Sequence, residues 1–371
     1  MAFSSSSMRH TSVRPEVDCI VEYIPGESLE AFSGRTGIPL HQLVKLNSNE
    51  SPYPPMPEVL QALSDYTNYN IYPDTNSAAL RSALSSYTGL EPEFIVVGHG
   101  SSELIYLLWH IFLASGDTII CCPPTFSYYT TCASLCNASV LEVPRTTEYE
   151  LDIEGILAAL RPSTKLIVLC SPNNPTGNPV NERDVLTLLE TGRIVVVDEA
   201  YIEFSRIPQG MARLVPMYKN LIVLRTFSKW AGLAGLRIGY GLCPEWIAQN
   251  IRRAQNPFEV NTAGHIAAIL TLNNLDYVQN NVRRIIKERE NLFKLLTKQP
   301  YLLPIPSEGN FILAHLRDQT VKIEKVRATV ESHGILLRYF QSSALQNSLR
   351  VTVGLPQHTE KLAVALESIE T

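Results

Sequence analysis

Seven short apolar runs, at residues 94–97, 118–122, 140–143, 166–170, 194–197, 221–225 and 237–241, are interleaved with amphipathic stretches at 101–113, 125–136, 152–160 and 181–190. Short runs without polar alternation suit strands buried on both faces, and the longer stretches repeat at helical spacing. Their alternation predicts an α/β fold: a mainly parallel seven-stranded sheet with helices on both faces. In such a sheet ligands bind beyond the carboxyl ends of the strands. Chemistry-bearing residues should therefore cluster just after the apolar runs, and in this sequence they do.

After the run 221–225 comes Thr226-Phe227-Ser228-Lys229-Trp230, followed by glycines at 232 and 235 and by Arg237. Hydroxyls, close backbone approach at the glycines and a planar guanidinium make an anion site, and the lysine beside it is a candidate reactive amine. The cofactor that is both an aldehyde and a phosphate is pyridoxal 5'-phosphate. Asp198 ends the run 194–197, where a buried carboxylate needs a partner, and a protonated pyridine nitrogen is a suitable one. Tyr201 and Asn174, the latter in Ser171-Pro172-Asn173-Asn174-Pro175-Thr176-Gly177, can bind a ring oxygen. Phe126, after the second run, can stack on a flat ring.

Gly98-His99-Gly100-Ser101-Ser102-Glu103 is not a dinucleotide fingerprint: Glu103 stands where the third glycine belongs, and no acidic residue ends the next run. Ser101 and Ser102 instead open a helix whose first amides can meet a phosphate. Read singly, each of these residues has an ordinary structural role; together they form a constellation.

A chain of 371 residues exceeds one ordinary domain. Beyond residue 257 the pattern changes to helical segments near 263–298, 320–333 and 357–369 and strand-like runs at 310–314, 335–340 and 349–353, a smaller α+β unit. Residues 1–46, partly helical from 16, form an N-terminal arm that joins this unit, 47–257 form the large cofactor-binding domain, and 258–371 form the small domain. Four prolines between residues 52 and 57 force an extended loop between helical segments and the arm. Arg338 and Arg350 fall on small-domain strands, where two arginines aimed into a cleft would suit a substrate carboxylate.

A net charge of −5 gives no global field for nucleic acid. The longest apolar run, 104–114, is interrupted by His110 and too short to span a membrane. Seven cysteines without a C-x-x-C read as reduced thiols of a cytoplasmic protein; Cys132 and Cys136 are one helical turn apart, but no histidine stands at zinc-finger spacing and no metal site is assigned. The serine-rich start, 4–7, is expected to be an inert tail in preference to a transit peptide.

The motifs Ser-Pro-Asn-Asn-Pro-Thr-Gly, Val-Asp-Glu-Ala-Tyr, Thr-Phe-Ser-Lys with Gly-Leu-Ala-Gly-Leu-Arg, and Leu-Arg-Val-Thr-Val-Gly, in this order, resemble those of fold-type I pyridoxal-phosphate enzymes, and among them histidinol-phosphate aminotransferases. The resemblance spans the chain from about Gly26 onward. It implies that Lys229 is the Schiff-base lysine, Asp198 the pyridinium partner, Asn174 and Tyr201 the ring-oxygen ligands and Phe126 the stacking aromatic. Ser101, Ser102, Thr226, Ser228 and Arg237 would then bind the phosphate. Tyr72 would reach the phosphate of the neighbouring subunit, which implies a homodimer with shared active sites. Arg338 and Arg350 would meet the amino-acid end of the substrate and Tyr53 its far end, with Asn49 of the same loop also binding substrate. The implied reaction is amino transfer from an amine or amino acid to a 2-oxo acid such as 2-oxoglutarate.

Three departures touch the surroundings of substrate and cofactor. The loop is Asn49-Glu50-Ser51-Pro52-Tyr53 where the family reads Asn-Glu-Asn-Pro-Tyr, the phosphate helix opens Gly-Ser-Ser-Glu in place of Gly-Ala-Asp-Glu, and the bulky Trp230 follows the lysine. They leave two further readings open: elimination and cyclisation on a hydroxylated guanidino amino acid, as in capreomycidine synthase, or threonine-phosphate decarboxylation; and a catalytically silent, ligand-binding relative.

Overall fold

In the computed structural model, which describes residues 13–18, 20, 25–317 and 321–369, two sheets organise the chain. The serine-rich start lies outside the described residues. Strand β1 (Val44–Leu46) belongs to the second sheet. The first contains β2 (Ile95–Gly98), β3 (Thr118–Cys121), β4 (Ser139–Glu142), β5 (Thr164–Cys170), β6 (Ile194–Asp198), β7 (Leu221–Thr226) and β8 (Gly239–Leu242), in the order β2-β8-β7-β6-β5-β3-β4. Only β8 runs antiparallel to its neighbours. The expected seven-stranded α/β sheet is thus the observed one.

Its strands are apolar throughout because both faces are covered, and the two-residue period decides which side chain enters which core. Ile167, Leu169, Val195, Val197, Leu221 and Val223 join one cluster, while Leu166, Val168, Val196, Ile222 and Leu224 join the other. Each such side chain contributes ~1.5–3 kcal/mol on burial. Helices Ser101–Phe112, Tyr128–Leu135 and Glu245–Ala254 cover the second cluster; Ala78–Thr88, Ile153–Ala159 and Glu182–Leu189 cover the first. From β3 the chain moves outward to β4, then returns to β5 and continues the other way through β6 and β7. That reversal opens a crevice beyond the carboxyl ends of β3 and β5.

The seventh strand begins at Gly239, two residues later than its apolar run suggests. Arg237 has φ 54° and so stands in the left-handed region, outside the strand, where a bend aims its guanidinium back at the helix Ser101–Phe112.

The second sheet comprises β1, β9 (Leu302–Pro304), β10 (Phe311–Leu316), β11 (Ile335–Tyr339) and β12 (Ser348–Thr352), ordered β1-β11-β12-β10-β9. Strand β1 pairs in parallel with β11, although the region 16–46 reads as partly helical. Helix Leu29–Thr36 stops at Gly37, φ 73°, and the alternating Val44-Lys45-Leu46 then buries two side chains beside β11. The helical region 263–298 is two helices, Thr262–Asn273 and Leu275–Lys298, because Asn274 leaves helical geometry at φ −133°, ψ 51°. The first of them packs on Pro57–Asp65 and Ala78–Thr88 beside the first sheet. No helix among the described residues is long and apolar enough to cross a membrane.

Candidate active site

The anion cradle is built from three chain segments. Gly100, φ 76°, turns the chain into the helix that opens at Ser101, and Ser102 Oγ accepts a hydrogen bond from Arg237 Nη2 at 3.0 Å. Arg237 Nη1 also reaches Ser228 Oγ at 3.4 Å, and Thr226 Oγ1 donates to Ser228 Oγ at 2.9 Å. Backbones approach so closely that a Cβ on Gly100 would lie 2.4 Å from Arg237 Nη2, and one on Gly239 would lie 2.3 Å from Ser101 N. A guanidinium, three hydroxyls and the first amides of a 12-residue helix converge here, a donor set suited to a phosphate.

Asp198 closes β6 at the crevice and is 3% exposed. Its Oδ2 accepts from the Tyr129 hydroxyl at 2.7 Å and its Oδ1 from Ala200 N at 3.2 Å. Burial pushes this carboxyl up to about 6, against the pull of those two donors. Glu199 points away, into an ion pair with Arg225 at 2.8 Å. Tyr201 is buried, and its phenol oxygen accepts from Asn174 Nδ2 at 3.3 Å and from Asn49 Nδ2 at 3.2 Å. Phe126, half-buried, sets its ring edge-to-face with Tyr129 at 5.5 Å.

Lys229 is half-buried; its Nζ donates to Ser48 O at 3.1 Å and lies 5.9 Å from the centre of the Tyr201 ring. Burial, then the positive charge of Arg350, brings its amine down to about 8; Arg237 and Lys45 act in the same direction and Glu50 opposes them. At pH 7 roughly one such amine in ten is uncharged, roughly 300-fold more than for an ordinary lysine. Trp230 does not crowd it. The indole turns into the core, 2% exposed, stacked on Tyr87 at 5.9 Å and tilted against Phe227 at 5.5 Å.

The second sheet closes the site from the other side. Arg350 and Arg338 face each other across the β11–β12 ladder. Arg350 donates to Asn174 Oδ1 and to Asn47 O, with its guanidinium 5.4 Å from the centre of the Phe311 ring. The loop between β1 and Pro57 passes over the lysine, so close that a Cβ on Gly232 would meet Tyr53 O at 2.8 Å. Tyr53 is covered by the Arg284 guanidinium at 4.6 Å. Asn49, φ 54°, is 1% exposed and tied to Thr352 and Asn310, so its side chain serves Tyr201 from inside the wall.

One chain thus brings together Ser101, Ser102, Phe126, Asn174, Asp198, Tyr201, Thr226, Ser228, Lys229, Arg237 and Arg350, with Asn49, Tyr53 and Arg338 on the facing side. Tyr72 stands apart: it is 76% exposed and stacks on Phe258 at 4.3 Å. Tyr129 and the carbonyls of Asn47 and Ser48 were not anticipated. A tyrosine three residues after Phe126 reads as core, and backbone acceptors leave no mark in side-chain chemistry.

The site fits pyridoxal 5'-phosphate. The glycine-lined cradle matches its phosphate, the buried carboxylate has two neutral donors and suits a pyridinium, and a partly neutral lysine lies between them. The family model for aminotransferase class I and II matches residues 41–369. A chloroplastic histidinol-phosphate aminotransferase of Arabidopsis thaliana is 41% identical over 97% of this chain and 86% of its own. The histidinol-phosphate aminotransferase of Dehalococcoides mccartyi is 42% identical over 91% of this chain and 95% of its own. The crystal structure of the Sinorhizobium meliloti histidinol-phosphate aminotransferase in complex with pyridoxal-5'-phosphate superposes with a TM-score of 0.86 at 26% identity, covering 98% of both chains. This chain, a pyridoxal-phosphate-dependent enzyme, belongs to the class I and II aminotransferases.

Proposed function

We propose that the protein transfers the amino group of histidinol phosphate to 2-oxoglutarate. The observation that carries this reading is the double role of Asn174, which donates to Tyr201 and accepts from Arg350. The ring-binding and anion-binding halves of the site are therefore one side chain apart. Two facing arginines suit both substrates, since a guanidinium pairs with the phosphate of one and the carboxylates of the other. Relatives named for this activity, 41–42% identical over nearly the whole chain, support the same substrate.

Pyridoxal phosphate, when bound, supplies the carbonyl that receives the amine and a protonated ring that draws electrons from the substrate's α-carbon. Ser101, Ser102, Thr226, Ser228 and Arg237 would hold its phosphate, Asp198 its ring nitrogen, Asn174 and Tyr201 its ring oxygen, and Phe126 one of its faces. Lys229 Nζ would remove the proton from the amine-bearing carbon of the substrate, and a pKa near 8 suits a base working near neutrality. Arg338 and Arg350 orient the substrate's anionic end while Tyr53 and the loop above it exclude water.

Tyr72, exposed beside Tyr69 and Ile71, would complete the phosphate site of a second copy, which makes the active form a homodimer. We take residues 47–257 as the large domain and 258–371, with the arm 1–46, as the small one; the two sheets support this division, and helix Thr262–Asn273 crosses back onto the first. Among the described residues six cysteines are free thiols, most of them buried, which favours a reducing compartment such as the cytoplasm.

The test is a half-reaction without keto acid. Histidinol phosphate should convert the cofactor spectrum at least about tenfold faster than aromatic amino acids or arginine derivatives, with a keto product by mass. Loss of water, ring closure or release of carbon dioxide would overturn the assignment.

A further inference from the structure

We propose that Tyr129 is a positioning residue for amino transfer: its hydroxyl, 2.7 Å from Asp198 Oδ2, fixes that carboxylate in the orientation and charge state that a pyridinium requires. This inference rests on the proposed role of Asp198. The two side chains are 0% and 3% exposed, so no solvent competes for the bond. The tyrosine is itself immobilised. Its carbonyl accepts from Trp109 Nε1 at 3.1 Å, its ring stacks with Trp109 at 6.2 Å, and Phe126 meets it edge-on at 5.5 Å.

With Ala200 N on Oδ1, each carboxylate oxygen receives one donor, which blocks rotation of the group and leaves each oxygen with acceptor capacity to spare. The identity of the donor matters. A buried carboxylate needs stabilising, but a lysine or arginine in this place would pair with it and cancel the charge intended for the ring nitrogen. A phenol stabilises the anion and stays neutral, since burial and the neighbouring Asp198 push its own ionisation well up.

The other titratable groups around the carboxylate do not take over this task. Glu199 is committed to Arg225, the Cys170 thiol donates to Pro172 O at 3.4 Å and is kept protonated by burial, and Lys229 belongs to the reaction. Cys170 and Asp198 are register partners on β5 and β6, so the aspartate is held by sheet on one side and by the tyrosine-bearing helix on the other.

The experiment follows the protonation of Asp198 by infrared difference spectroscopy on the cofactor-free protein, with Asp198→Asn to assign the carboxyl band. Tyr129→Phe should raise its midpoint by about one pH unit or more. In the loaded enzyme the same variant should lower kcat about tenfold or more with little change in KM, and should move the acid limb of the kcat profile to higher pH. Replacing Tyr129 by 3-fluorotyrosine, a better donor of the same shape, should move the midpoint the opposite way, and it decides the matter if Tyr129→Phe fails to fold. An Asp198 midpoint unchanged in both variants would overturn the proposal. If the wild type takes up no cofactor, the reading of the site fails, while the infrared measurement still decides the role of Tyr129.

Discussion

Replacing Asp198 by asparagine should have opposite effects on stability and on catalysis. The structure permits the substitution sterically. The asparagine oxygen can accept from Ala200 N, and its amide can face Tyr129, whose hydroxyl turns to accept in place of donating. What is lost is charge. In the cofactor-free protein a carboxyl raised to about 6, against an ordinary value of 3.8, carries a burial cost of about 3 kcal/mol at neutral pH. Because the folded pKa is the higher one, this cost is complete above pH ~6 and disappears as pH falls below ~4. The cofactor-free variant should therefore melt higher than wild type at pH 7, with the gap closing at pH 4. In the loaded enzyme a buried anion–cation pair would be broken, worth ~3–5 kcal/mol, of which the part expressed in the transition state should lower kcat by roughly 100- to 1000-fold. Thermal melts of the cofactor-free protein and steady-state kinetics measure the two sides. A kcat within about threefold of wild type would refute the role given to Asp198, and a lower melting point at pH 7 would refute the electrostatic accounting.

Gly100→Ala should raise the dissociation constant for pyridoxal phosphate about tenfold or more, because the new Cβ lies 2.4 Å from Arg237 Nη2 at a φ of 76°; fluorescence titration of the cofactor-free protein reads this. Lys229→Met should stabilise the cofactor-free protein most below pH ~8, where the half-buried lysine carries its charge, and the advantage should fade toward pH ~10.5 as wild type loses the proton in both states; chemical denaturation across that range shows it. Mixing Lys229→Ala and Tyr72→Ala proteins, each nearly inactive, should restore up to about a quarter of wild-type activity, the statistical share of sites with both residues intact in a dimer. Activity no greater than the sum of the two inputs would exclude shared sites.

The strand ends were legible because buried parallel strands carry unbroken apolar runs, and any polar residue directly after one stands out. Asp198, Asn174 and Lys229 were singled out in that way, and the sheet places all three at one crevice. Tyr129 could not be found so, since its ring belongs to the core and only its hydroxyl reaches the site. Asn49 appeared as a loop residue facing substrate; a left-handed backbone and three hydrogen bonds to Thr352 and Asn310 turn it inward onto Tyr201. Trp230 looked like an obstacle beside the amine. Its direction depended on Tyr87, 143 residues earlier, and no local pattern encodes that contact. Strand β1 was missed for the same reason, because three residues are too few to distinguish alternation from chance and gain their structure only from β11.

The central claim, amino transfer from histidinol phosphate, is tested most directly by following the nitrogen. With histidinol phosphate labelled with nitrogen-15 at its amine and unlabelled 2-oxoglutarate, the account predicts labelled glutamate in a one-to-one ratio with the keto product, and none from the Lys229→Ala protein. Labelled ammonia, or carbon dioxide without labelled glutamate, would contradict it.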